Sequence, residues 1–220
     1  MTARQDGIDT RLPGIALLTS SVIALAAMAQ HPTTGSIHSD SFAKNVERVA
    51  SLTQMVHGTM IVLMAVITWT LIAFALRRGI TRWLMLQGVV AWVIGAASMI
   101  VAAAFNGFVV IDIARMTMRT PETSDTLKVV LQGFGAGVGV IAVIGGVGIS
   151  AALFLWSADL ALNKSIARWA GVFGLVAGAG LMIALATGMM RLNVPGMMLV
   201  VAVWVVWFLA VGALMTLRKV

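Results

Sequence analysis

The chain alternates between long apolar stretches and short polar segments. Six stretches are each long enough to cross a bilayer, which takes about 20 apolar residues in a helix. They cover residues 12–29, 57–76, 83–108, 129–156, 170–190 and 194–217. None of them shows the alternation of apolar and polar residues that is typical of a half-buried β-strand. The pattern predicts an all-α, polytopic membrane protein, in which six transmembrane helices form a single membrane domain over residues 1–220.

The longest segment between two apolar stretches, residues 30–56, contains a helical pattern of its own. From residue 41 onward, apolar side chains recur at every third or fourth position and charged side chains fall between them; the apolar positions are Phe42, Val46, Val49, Leu52 and Val56. This period predicts an amphipathic helix in the first outer loop. Such a helix either lies in the membrane interface or lengthens the second span.

Composition narrows the class of protein further. Hydrophobic residues make up 60% of the chain and charged residues 10%, whereas a soluble domain carries about 25% charged residues. A soluble enzyme, a disordered chain and a secreted disulfide scaffold are therefore excluded. The chain has no cysteine, which excludes thiolate chemistry and iron–sulfur clusters. The net charge of +7 does not indicate a nucleic-acid partner, because the basic residues lie between apolar stretches, where they orient helices.

The distribution of charge predicts the orientation in the membrane. The segments on the side of both termini carry nine Lys and Arg against three Asp, whereas those on the other side carry six basic residues against five acidic ones. The positive-inside rule then places both termini in the cytoplasm of a bacterium and residues 30–56 outside its inner membrane.

An alternative is that residues 1–29 form a signal peptide cleaved after Ala27-Met28-Ala29, which leaves five spans. We expect the first helix to be retained.

Glycines are concentrated in the fourth and fifth spans. Gly133 and Gly137, and likewise Gly174 and Gly178, have the four-residue spacing that lets two helix backbones approach closely. We therefore expect the fourth and fifth helices to pack against each other through these glycines.

The middle of the predicted bilayer contains almost no ionisable residue, which argues against a proton relay. Asp112 and Arg115 lie close to the outer boundary, three residues apart. They either pair on one helix face or form part of an outward-facing polar site. Asp159, near the inner end of the fourth helix, is expected to be solvated.

The three histidines, His31, His38 and His57, lie on the same predicted side. Because His31 follows the first span and His57 begins the second, we expect them at similar depth, with Met28 close by. Imidazole and thioether together favour Cu(I), and imidazole alone suits copper, zinc or haem iron. The alternative is that these histidines are ordinary interface residues without a ligand.

The sequence thus predicts an integral inner-membrane protein that acts as a small permease or as an accessory or binding component. Its partners are the lipid bilayer and either another membrane protein or a second copy of the chain. One alternative is an outward-facing copper or haem protein. A second is a lipid-modifying membrane enzyme, although we do not expect enzymatic activity, because the serines have no base near them in the sequence.

Overall fold

A computed structural model describes residues 9–32, 42–119, 124–162 and 165–220 of the chain. These residues form seven α-helices and one π-helical turn: α1 (Arg11–Ala29), α2 (Phe42–Arg78), α3 (Trp83–Ala104), the π turn (Phe105–Val109), α4 (Val110–Arg119), α5 (Ser124–Ala161), α6 (Ala167–Ala186) and α7 (Val194–Thr216). Six helical stretches are long and apolar enough to cross a membrane, with α3, the π turn and α4 forming one continuous stretch. The prediction of an all-helical protein with six spans is confirmed.

The helices differ in length, and the difference appears at one end of the bundle. α1, α6 and α7 have 19, 20 and 23 residues, which at about 1.5 Å per residue matches the hydrocarbon thickness. α2 and α5 have 37 and 38 residues. The helices meet at a common level at the face where α1 begins and α7 ends, here called the terminal face, where the Thr10 hydroxyl donates to the Met215 carbonyl at 2.9 Å. The longer helices therefore project at the opposite face.

Residues 42–56, 110–119 and 124–131 make up this projecting part, here called the extension. It has a small core of its own, formed by buried side chains of α2, α4 and α5: Val46, Ala50, Ile111, Ala114 and Leu131. The amphipathic pattern of the sequence lies in this part of α2. It is not a separate interfacial helix, because α2 continues without a break into the second span.

The main core is aromatic and lies between α2, α3, α5 and α7. The rings of Trp156 and Trp207 stack with their centres 6.1 Å apart. Buried indoles usually need an acceptor for the ring N–H, and small polar groups supply it: Trp92 donates to Thr68, Trp156 to the Met85 carbonyl, Trp204 to Ser150 and Trp207 to Ser157. The hydroxyls of Thr68, Ser150 and Ser157 therefore accept hydrogen bonds from tryptophan, and Trp156 lies in the core.

α3 and α5 are in close backbone contact. A Cβ atom at Gly95 would lie 2.6 Å from the Ile149 nitrogen, and one at Gly148 would lie 2.8 Å from the Gly95 Cα atom. The two backbones therefore touch at a point where only glycine fits on both sides.

The glycine pairing predicted between the fourth and fifth spans needs correction. Gly174 and Gly178 of α6 do pack on α5, and a Cβ at Gly178 would lie 2.8 Å from the Ser150 carbonyl oxygen. A Cβ at Gly133 or Gly137, by contrast, would meet nothing within 4 Å. These two glycines lie near the extension, in a part of α5 that α6 does not reach, because Gly146 is already level with Leu185 at the end of α6.

Candidate functional site: a histidine pair above a methionine-lined cavity

Two of the predicted site residues, His31 and His57, lie in direct contact. Their ring centres are 5.0 Å apart and the ring planes meet edge to face at 68°. His31 follows the end of α1, and His57 lies in α2 at the same height. His57 is only 7% exposed, whereas His31 is half-buried. The pair lies at the boundary between the spanning part of the bundle and the extension.

The hydrogen bonds of the two rings determine which nitrogen carries the proton. His31 Nδ1 lies 3.0 Å from the Pro32 carbonyl oxygen, and His57 Nδ1 lies 2.9 Å from the Thr53 carbonyl oxygen. Because a carbonyl oxygen only accepts, Nδ1 must be the donor in both rings. In the neutral form each Nε2 then offers a lone pair, and within the described residues neither Nε2 has a hydrogen-bond partner. Burial lowers the pKa of His31, which favours this neutral form.

The π turn contacts both the histidine pair and the cavity inside the bundle. Gly107, in the middle of the turn, packs against His57, and a Cβ there would lie 2.5 Å from His57 Cβ and 2.9 Å from His57 Cγ. The neighbouring Asn106 lines a cavity. Single π-helical turns inside α-helices are frequent at functional sites. Here the turn places a polar amide and a histidine contact side by side.

The cavity has a volume of about 260 Å³ and lies between α1, α2, α3, α5 and α7, in the half of the bundle next to the histidine pair. Most of its surface is apolar, and five methionines contribute to it: Met28, Met60, Met64, Met99 and Met197. Trp204 also lines the cavity, but its N–H is donated to Ser150 at 3.2 Å. Asn106 is therefore the polar side chain that the described lining offers to a ligand.

A second polar cluster lies at the terminal face. Asp159 of α5 is 1% exposed, and its Oδ2 accepts a hydrogen bond from Arg78 Nε at 2.9 Å. Arg82 Nη2 lies 2.6 Å from Oδ1, in an ion contact without the alignment of a hydrogen bond. The expectation that Asp159 is solvated was wrong, since it fastens the turn between α2 and α3 to α5. Both arginines are paired with Asp159, which indicates a structural role.

The predicted polar site at Asp112 and Arg115 lies on α4, in the extension. Arg115 Nη1 is 3.7 Å from Asp112 Oδ1, and Arg115 Nε donates to Glu47 Oε2 of α2 at 2.8 Å. The second contact was not expected from the sequence. It ties α4 to α2 above the small core.

Of the remaining predicted site residues, His38 lies outside the described residues. Sequence reasoning missed Asn106 and Gly107, although an Asn-Gly pair inside an apolar stretch is a visible irregularity. Met60 was missed because methionine is a common apolar filler.

Within the described part of the chain, no three His, Asp or Glu side chains come together as a metal site. A metal ion bound by the described residues therefore needs donors other than three His, Asp or Glu side chains.

The chain matches no family model, no curated protein and no solved structure. Its function therefore has to be inferred from its own geometry.

Proposed function

We propose that the protein is a membrane-embedded binding protein or small permease for a small amphiphile with a largely apolar body. The observation that carries this proposal is the cavity, whose apolar wall is interrupted by the Asn106 amide. Ligand sites are commonly apolar pockets with a few well-placed polar groups. The apolar wall would hold the body of the ligand, and the amide would orient a hydroxyl or carbonyl group.

The size of the cavity limits the ligand. In another protein, an apolar cavity of about 150 Å³ stays dry and binds benzene. A cavity of about 260 Å³ therefore suits a compact molecule or chain segment of roughly ten heavy atoms. Methionine side chains have flexible, polarizable thioethers that adapt to different shapes. This lining favours a site that accepts a class of similar molecules.

The test uses the methionines as reporters. Protein labelled with ¹³C at the methionine methyl groups, in lipid nanodiscs, is titrated with 1-octanol and followed by NMR. The methyl signals of Met28, Met64 and Met197 should shift and saturate, whereas the signal of Met189, which is 81% exposed, should not. Equal and unsaturable shifts at all methionines would mean that octanol only partitions into the lipid, and the proposal would be wrong.

Matched variants sharpen this test. Ala103→Leu fills the cavity from α3, while Ala104→Leu changes the neighbouring residue, which does not line it. Only Ala103→Leu should abolish the saturable shifts. Asn106→Leu should remove the preference for 1-octanol over n-octane, because the amide is the proposed partner of the hydroxyl group. An unchanged preference would contradict the role of Asn106.

For the location, we propose the inner membrane of a bacterium, with both termini in the cytoplasm. The excess of basic residues at the terminal face supports this orientation. The start of α1 and the end of α7 lie on the same face, where Arg218 pairs with Asp9 at 3.1 Å. Reporter fusions at Val220 and near Asp40 should report opposite compartments, with the former in the cytoplasm. An outer location of Val220 would overturn the orientation.

A further inference from the structure

The histidine pair continues into the membrane as a pair of sulfur donors. The His31 backbone nitrogen donates to the Met28 carbonyl oxygen at 3.1 Å, so Met28 lies one turn further into the bundle. On α2, Met60 lies three residues after His57 in the same direction, and residues three apart share a helix face. Both methionines line the cavity. Two imidazoles therefore lie at the boundary, with two thioethers one turn below them.

We propose that His31, His57, Met28 and Met60 form a binding site for Cu(I). Both imidazoles present Nε2 while Nδ1 is held by a backbone carbonyl, and metal-binding histidines are oriented in this manner. Thioether sulfur is a soft donor that selects Cu(I), whereas Mg²⁺, Ca²⁺ and Mn²⁺ prefer carboxylate and carbonyl oxygen.

Charge also favours a monovalent ion. The four proposed ligands are neutral, and within the described residues no carboxylate contacts either imidazole. Burying a net charge without compensation is costly. A Cu(I) ion adds a single positive charge at this boundary, whereas Zn²⁺ or Cu²⁺ adds two. The two rings are in direct contact, with their centres 5.0 Å apart, which leaves no space between them for a haem iron.

The proposed Cu(I) site does not depend on the proposed binding of an amphiphile, although Met28 and Met60 line the same cavity. Purified protein in detergent is kept reduced and titrated with Cu(I) against bicinchoninate, a chromogenic competitor. One ion should bind per chain. His31→Ala should weaken binding at least tenfold. The conservative variant Met28→Leu/Met60→Leu, which keeps the side-chain volume and removes only the sulfur, should also weaken it at least tenfold.

The control variant Met189→Leu/Met198→Leu removes two thioethers at more exposed positions and should bind Cu(I) as the wild type does. X-ray absorption of the loaded wild type should show both nitrogen and sulfur ligands, and the sulfur contribution should disappear in Met28→Leu/Met60→Leu. The double variant His31→Ala/His57→Ala is included only if its thermal midpoint shows that it folds.

Absence of Cu(I) binding, or equal affinity in wild type and His31→Ala, would overturn the proposal. If the histidine variant lost binding while Met28→Leu/Met60→Leu did not, the thioether part and the selection for Cu(I) would be wrong. If His31→Ala lost Cu(I) binding and kept the wild-type NMR response to 1-octanol, the Cu(I) site and the proposed amphiphile site would be shown to be distinct.

Discussion

Gly107 lies directly against the imidazole of His57, with no room for a Cβ between them. A Cβ added to Gly107 would lie 2.5 Å from His57 Cβ, closer than two non-bonded carbon atoms approach. The π turn brings Gly107 to this place, where α3 passes into α4. The position of one ring of the histidine pair thus depends on a glycine that is remote in sequence.

Gly107→Ala should displace His57 and lower stability. Overpacking of this kind costs about 1–3 kcal/mol, and we expect a lower thermal midpoint in detergent together with weaker Cu(I) binding. The matched control is Gly137→Ala on α5, where a Cβ meets nothing within 4 Å. Alanine favours a helix over glycine by about 1 kcal/mol, so this variant should be as stable as the wild type or more so. A Gly107→Ala protein that unfolds like the wild type would contradict the contact.

Gly95→Ala should separate α3 from α5. The added methyl group would lie 2.6 Å from the Ile149 nitrogen and 2.9 Å from the Gly145 carbonyl oxygen, and neither backbone atom moves without shifting a helix. We expect a larger drop in thermal midpoint than for Gly107→Ala, whose nearest neighbour is a side chain. Gly180→Ala, in open space on α6, serves as the control. Equal midpoints for Gly95→Ala and Gly180→Ala would show that the two helices do not touch here.

Asp159→Asn should be strongly destabilising. The substitution leaves Arg78, whose side chain is 13% exposed, without its anionic partner. Removing one member of a buried ion pair costs about 3–5 kcal/mol, because the other charge remains buried. Denaturant unfolding in mixed micelles measures the change. Asp125→Asn, which removes a carboxylate that is 96% exposed, should have little effect, and a similar loss in both variants would mean that burial does not matter at Asp159.

His31 should make the protein less stable in acid. Burial lowers the pKa of His31 in the folded state, while the unfolded chain keeps the ordinary value of about 6.5. Below about pH 6.5 the unfolded state binds the proton more readily, so the free energy of unfolding falls as pH falls. Within the described residues, the His31 ring contacts the His57 ring and the Pro32 carbonyl. Thermal midpoints between pH 8 and pH 5.5 should decline less in His31→Gln, and parallel curves would refute this assignment.

Much of the fold follows from local features of the sequence. Each apolar stretch is long enough to cross a bilayer as a helix, in which the backbone satisfies its hydrogen bonds internally, and this property depends on length and composition alone. The periodicity of residues 42–56 likewise predicts a helix with one apolar side. The ends of the first two spans were enough to place His31 and His57 at similar depth.

Contacts between helices required the tertiary structure. A four-residue glycine spacing predicts that a helix can be approached closely, but Gly95 and Gly148 are in contact while Gly133 and Gly137 are open. Asp159 was expected to be solvated because of its position near a helix end, and it is buried. What decides these cases is the rotation of each helix about its axis and its height relative to its neighbours. The periodicity of a single helix gives neither its rotation nor its height relative to its neighbours. The same rotation and height place Asn106 at the cavity and Gly107 against His57.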